Sequence, residues 1–432
     1  MSGGLLVRGG RLVDPAAGRD GRFDLLLAGG VVTEVAPGLE AGDAQVLDAT
    51  NLLVFPGFID LHAHLREPGR EYAETIATGL RAAAAGGFTA VCAMPNTDPV
   101  NDQGAMIEFV KARGSGAAAA RLYPIGAISM GQRGEELAEF GEMRDAGGVA
   151  LSDDGRWLAD GTLLRHAFEH AGLFGLPIVQ HAEDRGLSQE APMHEGAVST
   201  RLGLRGQPAI AETAAVARDL LVAELAGGRL HVAHVSTSRA LGLIREAKAR
   251  GVRVTCEVTP HHLTLTDEEV ARSGFSTRTK MNPPLREPRD LEVLAAGLED
   301  GTVDAIATDH APHHEDEKAV DFDSAPFGVV GLETAAAIVF DRLVSRGRLS
   351  LGRFVELLSA APAKVFGLPG GTLSPGSPAD LTLFDPERRW KVDPSRFLSL
   401  GRSSPFAGWD LVGAPAATIV AGRIVWERRI EL

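Results

Sequence analysis

The sequence predicts an α/β protein, a (β/α)8 TIM barrel with a small composite β-sandwich domain formed by its N- and C-terminal segments. Three observations lead there. The middle of the chain alternates short apolar or β-branched runs with alanine-rich stretches of helical period, the mark of parallel βα units, and eight such runs occur. Both ends instead carry short alternating strands punctuated by Gly-containing turns. At 432 residues, 44% hydrophobic and 23% charged, the chain is long enough for one barrel with an appendage and has the composition of a folded protein.

Taken in order, residues 1–55 hold the first terminal strands (LLVRGGRLVD, DLLLAGGVVTEV). The barrel, 56–371, opens with FPGFID and continues through FTAVCAM, LYPIGAI, GVALS, LPIVQ, RLHVAHV, VRVTCEV and VDAIAT. Segments 72–85, 209–226 and 239–250 between these runs have a 3.6-residue period, several closed by glycine. Residues 372–432 return to strands (ADLTLFDP, ATIVAGRIVW). Neither end has strands enough for a good sandwich alone, so the two are expected to pair as one domain, discontinuous in sequence. The loop HHEDEKAVDFDSAPFG, 313–328, is long, acidic and without apolar period before Ala325; disorder and a mobile lid are both open readings.

Charge and composition exclude some functions. A formal net charge of −14, with no basic run to override it, repels nucleic acid and anionic lipid. The first residues lack a signal-peptide core and no stretch approaches a membrane span, so a cytoplasmic location is expected. Cys92 and Cys256 sit inside apolar strand-like runs, which suits reduced core thiols better than a disulfide.

The chemistry lies in the polar residues at the end of each apolar run. Strand one ends in His62-Ala63-His64, strand two in Met94-Pro95-Asn96, strand four in Ser152-Asp153-Asp154 and strand five in His181. Strand six ends in His234, Pro260-His261-His262 comes after strand seven, and Thr308-Asp309-His310 after strand eight. Strand C-termini of such a barrel converge on one mouth, where active sites form. Side chains alternate along a strand, so His62 and His64 point the same way and can grip one cation. Alone, HxH is a weak signal. With Asp309 on that ion, and His181 and His234 on a second, each ion still needs a bridging anion, which an aspartate at the end of strand four can supply. Chemistry alone does not separate Asp153 from Asp154.

DLHAHLREPG, AMPNT, SDDG, HAED, HVST, KMNPPLR and ATDHAPH resemble, in order and spacing over nearly the whole chain, the class I (bacterial-type) dihydroorotases of the cyclic amidohydrolase superfamily. The resemblance implies reversible, zinc-dependent closure of N-carbamoyl-L-aspartate to L-dihydroorotate and water, a step of de novo pyrimidine synthesis. It implies one or two Zn2+ per subunit, two favoured, on His62, His64, Asp154, His181, His234 and Asp309. Substrate contacts fall on Arg66, Asn96, Asn282 and His313, with Phe327 and Gly328 lining the pocket. Asp309 is the expected proton shuttle and Arg66 the expected holder of a substrate carboxylate.

Two rivals remain. Another cyclic amidohydrolase, such as a dihydropyrimidinase or allantoinase, would bridge its metals with a carboxylated lysine, and none stands near SDDG. A non-catalytic subunit scaffolding aspartate carbamoyltransferase would be expected to lack ligands, and here all are present. A homo-oligomer is expected, with association with the transferase open. His261 and His262 are read as supporting or structural, His310 and His314 as ambiguous neighbours, and His166, His170 and His194 as ordinary. Asn96 and Asn282 stand beside prolines, where turn capping is the bland alternative.

Overall fold

A computed structural model describes residues 4–428. Eight parallel strands make the barrel: β1 Phe58–Ala63, β2 Phe88–Ala93, β3 Arg121–Pro124, β4 Leu151–Ser152, β5 Ile178–Gln180, β6 Leu230–Val232, β7 Val254–Val258 and β8 Ala305–Ile306. Neighbours in sequence are neighbours in the sheet, from β1 to β3 and from β4 to β8. Two single bridges close the ring, Gly126 to Leu151 and Ala63 to His310. At the second, His64 N donates to His310 O at 2.8 Å.

Each expected run supplies one barrel strand, and apart from the half-buried Arg121, Leu122 and Tyr123 of β3 and Thr255 of β7 the residues of these strands are buried, as parallel strands covered on both faces must be. Helices Gly161–Phe174, Ile210–Ala226 and Ser238–Ala249 are among those that cover the barrel. The first of them shows how the sequence sets its ends. Asp160 accepts hydrogen bonds from Thr162 N and Leu163 N, and Gly175 ends the helix at φ 70°. The helix expected over 72–85 starts later, at Ile76, because Thr75 and Thr78 cap each other there.

Both ends of the chain form two facing sheets. One orders Val31–Ala36, Asp24–Ala28, Leu5–Arg8 and Gln45–Asp48; the other orders Arg423–Glu427, Asp410–Val420, Leu381–Lys391, Leu53–Pro56, Arg11–Asp14 and Arg19–Arg22. In the second sheet Leu53–Pro56 pairs antiparallel with Leu381–Lys391 from the C-terminal segment, through Leu381–Pro56 and Phe384–Leu53. Leu6, Leu12, Leu25, Val54, Leu381 and Ile419 are fully buried.

The run FPGFID turns out to straddle two layers. Phe55 and Pro56 belong to the sandwich, Phe58 begins the barrel, and Gly57 packs so tightly that a Cβ would lie 2.1 Å from Thr89 Oγ1. Phe55 and Phe58 join Phe340, Phe354 and Phe384 in an aromatic cluster that binds sandwich to barrel. Such ring pairs contribute about 0.5–1.5 kcal/mol each beyond their area.

Both cysteines are free and buried. Among the described residues no helix is long and apolar enough to cross a membrane. The 313–328 loop is ordered: Glu315–Lys318 is a short helix, and Lys318, Phe322 and Ala325 are buried.

Candidate functional site

The strand ends meet at the barrel mouth. His62 Nε2 lies 3.4 Å from Asp154 Oδ1 and 3.5 Å from Asp309 Oδ1; His64 Nε2 lies 3.4 Å from Asp154 Oδ2 and from Asp309 Oδ1. On the other side His181 Nδ1 and His234 Nε2 each lie 3.6 Å from Asp154 Oδ1 and 2.9 Å from each other. Donor atoms of His62, His64 and Asp154 form one compact group, those of Asp154, His181 and His234 a second, and Asp154 is common to both. Of the two aspartates, Asp153 is engaged elsewhere: it accepts from Ile128 N, Ser129 N and Ser129 Oγ.

Hydrogen bonds at the far side of three of the four rings orient the free nitrogen. His62 Nδ1 donates to Glu257 Oε1 at 2.8 Å, which leaves Nε2 facing the two aspartates. His64 Nδ1 is 2.8 Å from Asn96 Oδ1. If His64 Nε2 is to ligate, Nδ1 carries the proton, the Asn96 oxygen accepts it, and the Asn96 amide NH2 remains free to donate. His181 Nε2 donates to Glu183 Oε2 at 3.0 Å, so its Nδ1 faces His234. The His181 Nδ1 lone pair at 2.9 Å from His234 Nε2 either accepts an N–H from it or shares a cation with it.

These groups fit a cation by their chemistry. His62 Nε2 and Asp154 Oδ1 are buried without a hydrogen-bond partner, an arrangement that costs free energy unless something positive joins them. Burial alone would lower the His62 and His181 imidazoles, yet the carboxylates beside them raise both, His181 to about 10. Burial would raise Asp154 and Asp309, yet the surrounding imidazoles hold both well below the usual carboxylate range. The mouth therefore attracts positive charge.

Outside this cluster a cavity of about 300 Å³ opens, lined by Arg66, Asn96, Asn282, His313, Phe327 and Gly328 together with His64, His181 and Asp309. All six expected substrate contacts thus face the same space as the candidate ligands. Arg66 Nε donates to Pro312 O at 3.1 Å, and burial pulls the guanidinium down to about 10, still charged at neutral pH. Asn282 Nδ2 donates to Glu183 Oε2 at 2.6 Å. His313 Nε2 donates to Phe327 O at 2.8 Å. Arg66, His234 and Asp309 hold left-handed backbone, φ 61°, 34° and 47°, a conformation non-glycine residues adopt at a cost.

The remaining histidines divide as supports. His262 bonds Thr259 Oγ1 and Pro283 O, pinning the loop that carries Asn282. His310 braces Glu74 and accepts from Gly331 N, and His314 caps the Glu315–Lys318 helix. His194 accepts from Arg286 Nη1. Three supporting residues had no role in the sequence reading: Glu257, which links His62 to His231; Glu183, which links His181 to Asn282; and Asp60, which accepts from Thr308 N and Oγ1. A signal existed for two of them. Glu257 and Asp60 are carboxylates inside apolar strand runs, where a buried charge needs a partner.

A family model described as "Dihydro-orotase-like" matches residues 51–240. A dihydroorotase of Anaeromyxobacter dehalogenans (strain 2CP-C) is 57% identical over 428 residues, 99% of each chain, and one of Pelotomaculum thermopropionicum is 54% identical over 426 residues, again 99% of each. Among solved structures, an L-hydantoinase (dihydropyrimidinase) from Arthrobacter aurescens superimposes with a TM-score of 0.87 at 30% identity, covering 98% of this chain and 96% of its own. A D-hydantoinase (dihydropyrimidinase) from Thermus sp. does so with a TM-score of 0.84 at 28% identity, covering 97% and 94%.

Proposed function

The chain belongs to the dihydroorotases of the cyclic amidohydrolase superfamily, and from that premise we propose that His62, His64, Asp154, His181, His234 and Asp309 would hold two zinc ions. The activity is that of a dihydroorotase, a metal-dependent cyclic amide hydrolase acting on a small molecule. The hydantoinases share the fold at 26–30% identity, whereas dihydroorotases match at 48–57% along almost the whole chain. The strand-four position holds Asp154 rather than lysine, which sets the chain apart from lysine-bridged relatives.

The observation that supports the two-ion reading is the sharing of Asp154 by two histidine pairs, with Asp154 Oδ1 and His62 Nε2 otherwise unpartnered. Bound there, zinc would supply Lewis acidity toward the ring carbonyl and toward water. The residues do the rest. The Arg66 guanidinium holds the substrate carboxylate, with the Asn96 amide donating and His313 beside it. In hydrolysis of L-dihydroorotate, Asp309 takes a proton from the attacking water and returns it to the departing ring nitrogen. In closure of N-carbamoyl-L-aspartate it protonates the departing hydroxyl, which leaves as water. Phe327 and Gly328 wall the pocket.

The same reading includes a catalytic barrel, expected over 56–371, and a composite β-domain, expected over 1–55 with 372–432; the pairing of Leu53–Pro56 with Leu381–Lys391 supports the composite domain and carries its first segment through Pro56. It extends to a cytoplasmic homo-oligomer serving pyrimidine synthesis and able to associate with aspartate carbamoyltransferase, which size measurement alone and with the transferase tests.

Metal analysis of the purified chain, combined with assays in both directions, tests the site. We expect about two zinc ions per chain, loss of activity on chelation with secondary structure intact, and recovery on adding zinc. Full activity in a preparation shown to be metal-free overturns the reading.

A further inference from the structure

Lys318 does not line the cavity, yet it is buried in the loop that forms part of the cavity's wall. It ends the four-residue helix Glu315–Lys318. Its Nζ donates to Pro326 O at 2.8 Å and to Gly328 O at 2.9 Å, with Lys280 O at 3.5 Å. Those two close carbonyls flank Phe327, whose own carbonyl accepts from His313 Nε2. One amine therefore holds both sides of the peptide unit that orients His313.

The wall it holds has little slack. Gly328 sits at φ 127°, and a Cβ there would lie 2.8 Å from Ala311 Cβ and 3.1 Å from His313 Nε2. Gly328 N donates to Lys280 O at 3.0 Å and Ala311 N to Val329 O at 2.8 Å, so the wall lies directly against the strand-eight loop. A second lysine braces the same turn: Lys280 Nζ donates to Asp323 O at 2.8 Å and lies 4.7 Å from the Phe327 ring centroid. Burial, with the Lys280 ammonium nearby, pulls Lys318 down to about 7. Even as a neutral amine it keeps two N–H donors, one for each close carbonyl.

We infer that Lys318 is a positioning residue for substrate binding, fixing the Phe327–Gly328 wall and, through the Phe327 carbonyl, the His313 ring. This rests on the reading that His313 and the wall meet the substrate. Without the Nζ, the Pro326 and Gly328 carbonyls turn toward other donors, Phe327 O leaves His313, and the pocket loses its shape on the side away from the metal cluster. The loss falls on substrate affinity, because neither Asp309 nor any histidine of the cluster bonds Lys318.

The test compares the wild-type chain with K318M, K318R, K318Q and H313A, measuring KM, kcat and metal content in the hydrolytic direction and amide hydrogen exchange over 325–331. K318M is expected to raise KM about 10-fold or more with kcat within about 3-fold, the split that marks lost substrate binding. Metal content stays at the wild-type value, exchange over 325–331 quickens, and K318R recovers part of the KM. Should K318M fail to accumulate, K318Q, which keeps one amide donor, is read in the same way. If H313A raises KM while folded K318M or K318Q keeps the wild-type KM, the proposal is overturned and the substrate reading stands. A wild-type KM in H313A overturns the substrate reading itself, and the proposal with it.

Discussion

On the metal-facing side of the mouth, each orienting contact runs from one side chain to another. His62 is held by Glu257 from β7, His64 by Asn96 from the loop after β2, and His181 by Glu183 two residues on. Along the loop after β8, which walls the cavity, the partners are main-chain carbonyls: Arg66 bonds Pro312 O, His313 bonds Phe327 O, and Lys318 bonds Pro326 O and Gly328 O. The first arrangement is specified by residue identity at positions that the barrel ladder fixes. The second is specified by the path of a loop. A change of loop can therefore alter which substrate fits while the cation cluster stays as it was, consistent with barrels that share one frame among many chemistries.

The two sides meet at Asp309, so its substitution should break the comparison most severely. Asp309→Asn cannot carry a proton, and both reaction directions should fall by roughly 10² to 10⁴-fold. Zinc content has to be measured in that variant, since Asp309 also lies 3.4 Å from His64 Nε2. Retained zinc with wild-type rate in either direction would pass the shuttle role to His310 or His313.

A purely substrate-side lesion comes next. Arg66→Met should cost about 2–4 kcal/mol of transition-state stabilisation with metal content unchanged, and Arg66→Lys should recover only part, because an ammonium lacks the planar fork. Unchanged kcat/KM in both variants removes Arg66 from the site.

The smallest expected effect sharpens the metal side. Glu257→Gln keeps the shape of the buried link to His62 and His231 but not its charge, and zinc affinity should weaken roughly 10 to 100-fold, read by competition with a chromophoric chelator. An affinity equal to wild type would make Glu257 a core residue without influence on the metal.

The barrel was legible because parallel strands buried on both faces read as uninterrupted apolar runs, and the polar residue after each run marks its mouth end. The candidate cluster came from the same rule, as His62, His64, His181, His234 and Asp309 all stand at such ends. The join at Gly57 was not legible, since strand pattern continues on both sides of it. Asp153 and Asp154 were inseparable because β4 is only two residues long, too short for alternation to say which faces inward. The structure separates them through the Ile128 and Ser129 donors, which lie in the loop after β3. Lys318 left no periodic trace. Its partners are carbonyls, and any residue could have supplied them.

The bridge from Ala63 to His310 joins the first barrel strand to the loop after the last. During synthesis, then, five of the six candidate ligands are made before Asp309 and the closing bridge exist, and the bridge from β1 to the loop after the final strand is a contact of very long sequence separation. Such contacts form late. Asp309 stands one residue before the bridging His310, so a chain stalled short of β8 lacks both the Ala63–His310 bridge and the last candidate ligand.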